Sequence, residues 1–263
     1  MADLCDRCDL PQLDSATSPP RYWPSRLCPL PYTSVDAAWG RWRHSVVAVV
    51  GSFGGLAAYR RLLGGLPPSF PAPIVIVQHR PAVNDHMLAG VLQPVCPLPV
   101  VELRDGDQIY PGIVHVTPGR SVTTLQRSGA QAVVSVSVSP DPAATGGDAL
   151  FKSAAGLWAS GVIAVVLSGR LSDGATGVRY VKGAGGRVLV QDPAECAAPG
   201  MPQAALSTGC VDFMLPAAGL ADALTALVMA PGAGELMRVP LPSWAVPIAP
   251  TGNPLLGADG LAS

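Results

Sequence analysis

The chain has 263 residues, 49% hydrophobic and only 13% charged, with a formal net charge of −1 at pH 7. That length supports a sizeable core, and so low a charged fraction points to strands buried on both faces. The near-zero charge speaks against a broad electrostatic footprint for nucleic acid, and no run of like charges suggests a tail lying on a membrane surface.

Residues 1–43 carry prolines at 11, 19, 20, 24, 29 and 31 with little apolar periodicity, which predicts a disordered leader. Within it, Cys5 and Cys8 have zinc-knuckle spacing and Cys28 is a conceivable third ligand. A structural site needs four ligands, and the nearest further candidate, His44, is far away. Free thiols and no metal are the preferred reading. The N-terminus lacks the apolar stretch of a secretory signal. The longest uncharged apolar runs, 46–59 and 157–169, are broken by glycines and fall short of the roughly 18–20 residues of a membrane span. A cytoplasmic protein without membrane insertion is expected.

From Val46 the signals alternate. Val46–Val50 is a β-branched run of the kind found in central parallel strands. Leu56, Tyr59, Leu63 and Leu66 then fall at helical spacing before Pro67 and Pro68. Ile74–Val77 reads as a second buried strand, followed by a helix from about Asn84 to Leu92. Short β segments are predicted near Val100–Leu103, Ile113–Thr117 and Ala132–Val138, with turn chemistry at Asp105-Gly106 and Pro118-Gly119. The rhythm resumes with a helix over Asp148–Ala159, a strand over Val162–Leu167, a helix from Gly174 to Lys182 and a strand over Arg187–Val190. Gly200-Met201-Pro202 opens a further helix, and the strand Val211–Leu215 and helix Ala217–Met229 complete the set. The pattern predicts a doubly wound α/β fold: a mostly parallel sheet, helices on both faces, and a small β-hairpin insertion. The expected organisation is a leader at 1–43, a catalytic domain at 44–232 and a flexible proline-rich tail at 233–263.

Ligands of open α/β sheets bind beyond the carboxyl ends of the strands. Ser52, His79 and Asp173 each follow a predicted strand, so a nucleophile, a base and an acid stand at three strand ends. Each has a plainer explanation alone. Gly51-Ser52-Phe53-Gly54-Gly55 could be a tight turn or a phosphate cradle, His79 a structural histidine, and Asp173 a helix N-cap. Valine at position 50 does not fit the nucleophile elbow of α/β-hydrolases.

The run from Val46 to Leu56 resembles the nucleophile turn of the CheB-type protein-glutamate methylesterase domain of bacterial chemotaxis. Further segments resemble that family in the same order: Ile76-Val77-Gln78-His79, Asp148 to Ala155, Ser168-Gly169 with Asp173-Gly174-Ala175, Ala184-Gly185-Gly186, Gln191-Asp192 and Gly200-Met201-Pro202. The likeness covers about 46–229. It implies Ser52 as nucleophile, His79 as base and Asp173 as orienting acid, acting without a cofactor on glutamate methyl esters of chemoreceptor cytoplasmic helices. Glutamine deamidation at such sites is a related possibility. Phe53 and Arg170 are the candidates for backbone oxyanion donors.

The sequence also departs from the family. Phe53 replaces a threonine, Gly169-Arg170-Leu171 replaces Gly-Met-Gly, and Arg80 replaces a methionine. A histidine expected shortly before Asp148 is missing from 143–147. Arg80 and Arg170 are predicted to flank one crevice and to favour acidic partners. Residues 1–45 are too few for the receiver domain that usually precedes this catalytic domain, so a stand-alone enzyme is expected. Two alternatives remain: a catalytically weak docking module, and a nucleotide-binding domain, which lacks an acidic residue at the second strand end. The sequence does not fix the oligomeric state.

Overall fold

The computed structural model describes residues 45–80, 87–129, 131–138, 146–230 and 232–249. The first strand, β1 (Val46–Gly51), is buried throughout. Helix α1 (Gly55–Gly64), β2 (Ile74–Gln78), α2 (Leu88–Leu92), β3 (Val100–Glu102) and β4 (Val114–Val116) follow. Next come β5 (Ser121–Ser128), β6 (Gln131–Val138), α3 (Gly146–Trp158), β7 (Val162–Val166), α4 (Ala175–Gly183) and β8 (Arg187–Gln191). The order closes with α5 (Gly200–Leu206), β9 (Phe213–Leu215), α6 (Gly219–Met229) and α7 (Ala233–Leu236).

Seven strands form one parallel sheet in the order β3-β4-β2-β1-β7-β8-β9. The chain builds outward from β1 in one direction, then returns to its other side, so β1 lies at the switch point where such sheets bind ligands. Its continuous valines have a simple cause. Val47 and Val49 point to a core shared with Tyr59, Leu62 and Leu63 of α1 and with Leu220 and Leu224 of α6. Val46, Ala48 and Val50 point to the opposite core, with Leu150 and Phe151 of α3 and Val178 and Val181 of α4. Both faces are covered, so no polar residue alternates along the strand.

Register levels the strand ends. Gly51 of β1 stands beside Gln78 of β2, and Val50 beside Val166 of β7. The residues just past these positions therefore emerge on one edge of the sheet.

The doubly wound architecture and its small hairpin agree with the sequence reading, with differences of detail. β3 and β4 join the main sheet as parallel strands beside β2. The insertion proper is the antiparallel pair β5–β6, and β5 was not anticipated. It sits against α3, burying Leu125 and Val134. Of the helix expected from 84, Leu88–Leu92 is described, and residues 81–86 lie outside the described residues. The leader at 1–43, with Cys5, Cys8 and Cys28, also lies outside them.

The expected flexible tail needs correction over 233–249. Arg179 Nε of α4 donates to the Val246 carbonyl at 2.8 Å, and the Ile248 N–H donates to the Arg179 carbonyl at 3.0 Å. Trp244 lies over Gly209. After the short helix Ala233–Leu236, the proline-punctuated chain is extended, and it still pairs its backbone with α4 and covers a glycine. Among the described residues no helix is long and apolar enough to cross a membrane.

Candidate active site

Ser52 is the first residue beyond β1. Its N–H donates to the Ser168 carbonyl at 2.9 Å, and its carbonyl accepts from Gly55 N–H at 2.9 Å and Gln78 Nε2 at 2.9 Å. Gly54, at φ 81, turns the chain into α1. A Cβ there would lie 2.6 Å from Ala197 Cβ and 2.7 Å from Ser168 Oγ, so only glycine fits. Helix α1 starts without a side-chain cap and without an acid in its first turn. Among the described residues, no acceptor takes the backbone N–H of Phe53 or of Arg170.

His79 follows β2, and its Nε2 lies 2.7 Å from Asp173 Oδ2, with side-chain exposures of 9% and 0%. With Nε2 engaged, Nδ1 is the ring nitrogen left for a second partner. The backbone holding this pair is pinned by Gln78, whose Nε2 donates to both the Ser52 and His79 carbonyls, at 2.9 and 3.1 Å.

Asp173 is buried and fully engaged. Oδ2 accepts from His79 and from Gly147 N–H at 2.7 Å, while Oδ1 accepts from Asp148 N–H at 3.0 Å and Gly174 N–H at 2.9 Å. Two of these donors belong to the first turn of α3, where peptide N–H groups lack helical partners and favour an anion. Asp148 repeats the arrangement in reverse, accepting from Gly177 N–H of α4 at 2.6 Å. Burial pushes the Asp148 carboxyl up to about 6; the Asp173 charge also raises it, while N–H groups of Gly177, Gly174 and Thr176 oppose the shift.

The structure thus brings Ser52, His79 and Asp173 to the level ends of three adjacent strands, β1, β2 and β7. The two arginines separate. Arg170 is exposed, with its guanidinium carbon 4.5 Å from the centre of the Phe53 ring, so both candidates stand beside Ser52. Arg80 corrects the expectation of a paired cationic crevice. Its side chain is only 10% exposed and bonds Glu102 Oε2 at 3.2 Å and the Thr117 carbonyl at 2.8 Å. These bonds tie the end of β2 to β3 and to Thr117, just past β4. Leu171 keeps a glycine-like conformation at φ 65, with 69% of its surface exposed.

Sequence reasoning assigned no role to Gln78, Ser168 or Asp148, although all three lie within segments used for the resemblance. Ser168 Oγ donates to the Phe53 carbonyl at 2.8 Å and accepts from Ala198 N–H at 3.1 Å, and its N–H donates to Gln191 Oε1 at 2.9 Å. It locks the turn after Ser52 to the ends of β7 and β8. A polar residue ending an otherwise apolar strand was the available signal for Gln78 and Ser168.

The CheB methylesterase family model matches residues 47–224. A protein-glutamate methylesterase/protein-glutamine glutaminase of Anaeromyxobacter dehalogenans is 38% identical over 196 residues, which are 74% of this chain and 56% of that protein. A protein of the same name from Moorella thermoacetica is 38% identical over 195 residues, 71% of this chain and 45% of its own. The chain spans about half the length of these curated relatives. The crystal structure of the Thermotoga maritima CheB methylesterase catalytic domain superposes with a TM-score of 0.67 at 33% identity, over 70% of this chain and 99% of that one.

Proposed function

The chain belongs to the CheB methylesterase family, and from that premise we propose that it is a serine hydrolase that demethylates glutamate methyl esters on chemoreceptor cytoplasmic helices. Ser52 Oγ attacks the ester carbonyl while His79 takes its proton through Nδ1. The tetrahedral oxyanion is received by the backbone N–H groups of Phe53 and Arg170. His79 returns the proton to the departing methoxide, which leaves as methanol. A water, deprotonated by His79, then cleaves the acyl-enzyme to release the glutamate carboxylate and regenerate Ser52. Asp173 holds the imidazole and offsets its transient charge. The same acyl chemistry on a glutamine side chain would release ammonia, in keeping with the double name of the relatives.

The observation that carries this reading is the 2.7 Å His79–Asp173 contact, standing at strand ends on either side of the strand that delivers Ser52. The exposed side chains of Phe53, Leu56 and Leu171, with Arg170, suit a helical partner of mixed apolar and acidic character. A cytoplasmic place of action goes with that substrate.

A serine-directed fluorophosphonate tests the proposal. The wild-type protein should be labelled on Ser52 and should release methanol from a methylated chemoreceptor fragment. Ser52→Ala should lose both, with a fall in kcat of roughly 10⁴-fold or more. Full labelling of the Ser52→Ala protein would overturn the assignment.

A further inference from the structure

Helices α3 and α4 exchange carboxylates at their starts. Asp173, just before α4, accepts the N–H groups of Gly147 and Asp148 in the first turn of α3. Asp148, in that same turn, accepts the Gly177 N–H in the first turn of α4. The helices lie unusually close, since a Cβ on Gly177 would meet Phe151 Cβ at 2.7 Å and the Asp148 Cα at 3.0 Å. Neither helix start can shift without loosening the bond that fixes the other.

We infer that Asp148 is a positioning residue for the hydrolytic reaction: its carboxylate anchors the first turn of α4, and so fixes the direction in which Asp173 presents Oδ2 to His79. This rests on the serine-hydrolase reading. The anchoring bond itself is stronger when Asp148 is ionised, because a charged acceptor binds peptide N–H groups more strongly than a neutral one. Protonation of Asp148 weakens the anchor, and the residue is placed to titrate in the mildly acidic range because burial and the Asp173 charge raise it.

Other charged groups surround the two helix starts. Lys152, one turn further along α3, stacks 5.0 Å from the Tyr180 ring of α4. Arg179 and Lys182, at the far end of α4, are bonded to the Val246 carbonyl and to Asp212. Arg127 lies on the exposed part of β5. Among the described residues, Asp173, with His79 behind it, is the acid that faces Asp148 closely. On this account the Asp148 anchor must stay ionised for full activity, alongside the requirement that His79 be free to accept the serine proton.

Two measurements on the full chain decide the matter. In the pH profile of kcat/KM for a methylated receptor fragment, the acid limb of the wild type should be steeper than one proton, and that of Asp148→Asn should have unit slope. Asp148→Asn mimics the protonated anchor, so its kcat at about pH 8 should fall about tenfold with KM nearly unchanged, and Asp148→Ala should fall further. Independently of activity, the imidazole N–H proton that His79 shares with Asp173 gives a downfield proton resonance, assigned by its absence in His79→Ala. In the wild type this resonance should broaden or move through a transition near pH 6 beyond any change that protonation of His79 itself brings, and Asp148→Asn should lack that additional transition. Equal limb slopes together with an identical resonance in wild type and Asp148→Asn would overturn the positioning role. A wild-type protein with the resonance transition but no ester hydrolysis would overturn the hydrolase reading and leave the coupling of Asp148 to Asp173 standing.

Discussion

Two helix starts meet the same edge of the sheet, and they are treated oppositely. At α1, the turn after Ser52 has no side-chain cap and no acid, and Gly54 holds the backbone in a left-handed bend. At α3, the first-turn N–H groups are filled by Asp173, which also takes the Gly174 N–H and the His79 ring. Every helix start has peptide donors in want of an acceptor. In the function proposed here, the Phe53 N–H just before α1 is kept open for a negative charge that exists only during the reaction, whereas first-turn donors of α3 are closed permanently around the acid that orients the base. An open start contributes to rate and little to stability, whereas a closed one contributes to both.

The strongest way to break that comparison is to remove the key group from each side. Asp173→Ala should lower kcat by roughly 10⁴-fold, because the base loses its orientation. It should also cost about 2–4 kcal/mol in a denaturant melt, because three buried N–H donors lose their acceptor. Ser52→Ala, at the open start, should match the loss of rate yet leave the melt within about 0.5 kcal/mol of wild type. Equal destabilisation by both would show that the two starts do not differ in kind.

A pH series sharpens the comparison. Asp148 is raised from its ordinary 3.8 to about 6, so its contribution favours the folded state below 3.8 and is lost as pH rises through 6. His115 behaves oppositely. It is buried in β4, its Nε2 accepts from the Tyr110 N–H at 3.0 Å, and burial lowers it from 6.5 to about 4. Its contribution is present above 6.5 and is lost as pH falls to 4, by at most about 3 kcal/mol. Over this window the two partly cancel in the wild type. Asp148→Asn removes one of them, so its stability should fall more steeply with acid than that of the wild type, as read from urea melts across the window. Parallel curves for the two proteins would show that the closed start carries no buried titrating carboxylate.

The smallest effect belongs to the loop that faces the open start. Leu171 sits at φ 65, a conformation that costs an L-residue roughly 1 kcal/mol. Leu171→Gly should relieve that strain, offset in part by the greater freedom of glycine in the unfolded chain, for a net gain of about 0.5–1 kcal/mol in thermal melts. A loss of stability would mean that the exposed leucine contributes packing across the crevice that outweighs its backbone strain.

What could be read from the sequence follows the range of the interactions. The strands β1, β2 and β7 announce themselves as β-branched runs, with Ser52 and His79 directly after the first two and Asp173 a short loop beyond the third. β5 escaped notice because Ser121–Ser128 mixes serine and threonine with two buried positions, leaving a weak alternation. Arg80 was misread because its partner Glu102 lies 22 residues away on a strand that approaches β2 only through β4. The tail's docking depends on Arg179 and Gly209, which no local pattern links to Val246 and Trp244. Asp148 looked like an ordinary first-turn acid because Gly177, which it holds, is 29 residues further along.

The position of β1 between β2 and β7 also orders events in time. β1 and β2 are joined by a single helix, so Ser52 and His79 can be brought level by a local parallel pairing. The contact between His79 and Asp173 spans 94 residues and waits until β7 pairs along the other side of β1. Closing a loop that long is slow compared with forming the helices within it. A nascent chain therefore carries Ser52 and His79 without Asp173 until β7 and the loop after it have been made. In the function proposed here, hydrolytic competence arrives all at once when the middle of the sheet closes, and chains that end before that point should be inert toward esters.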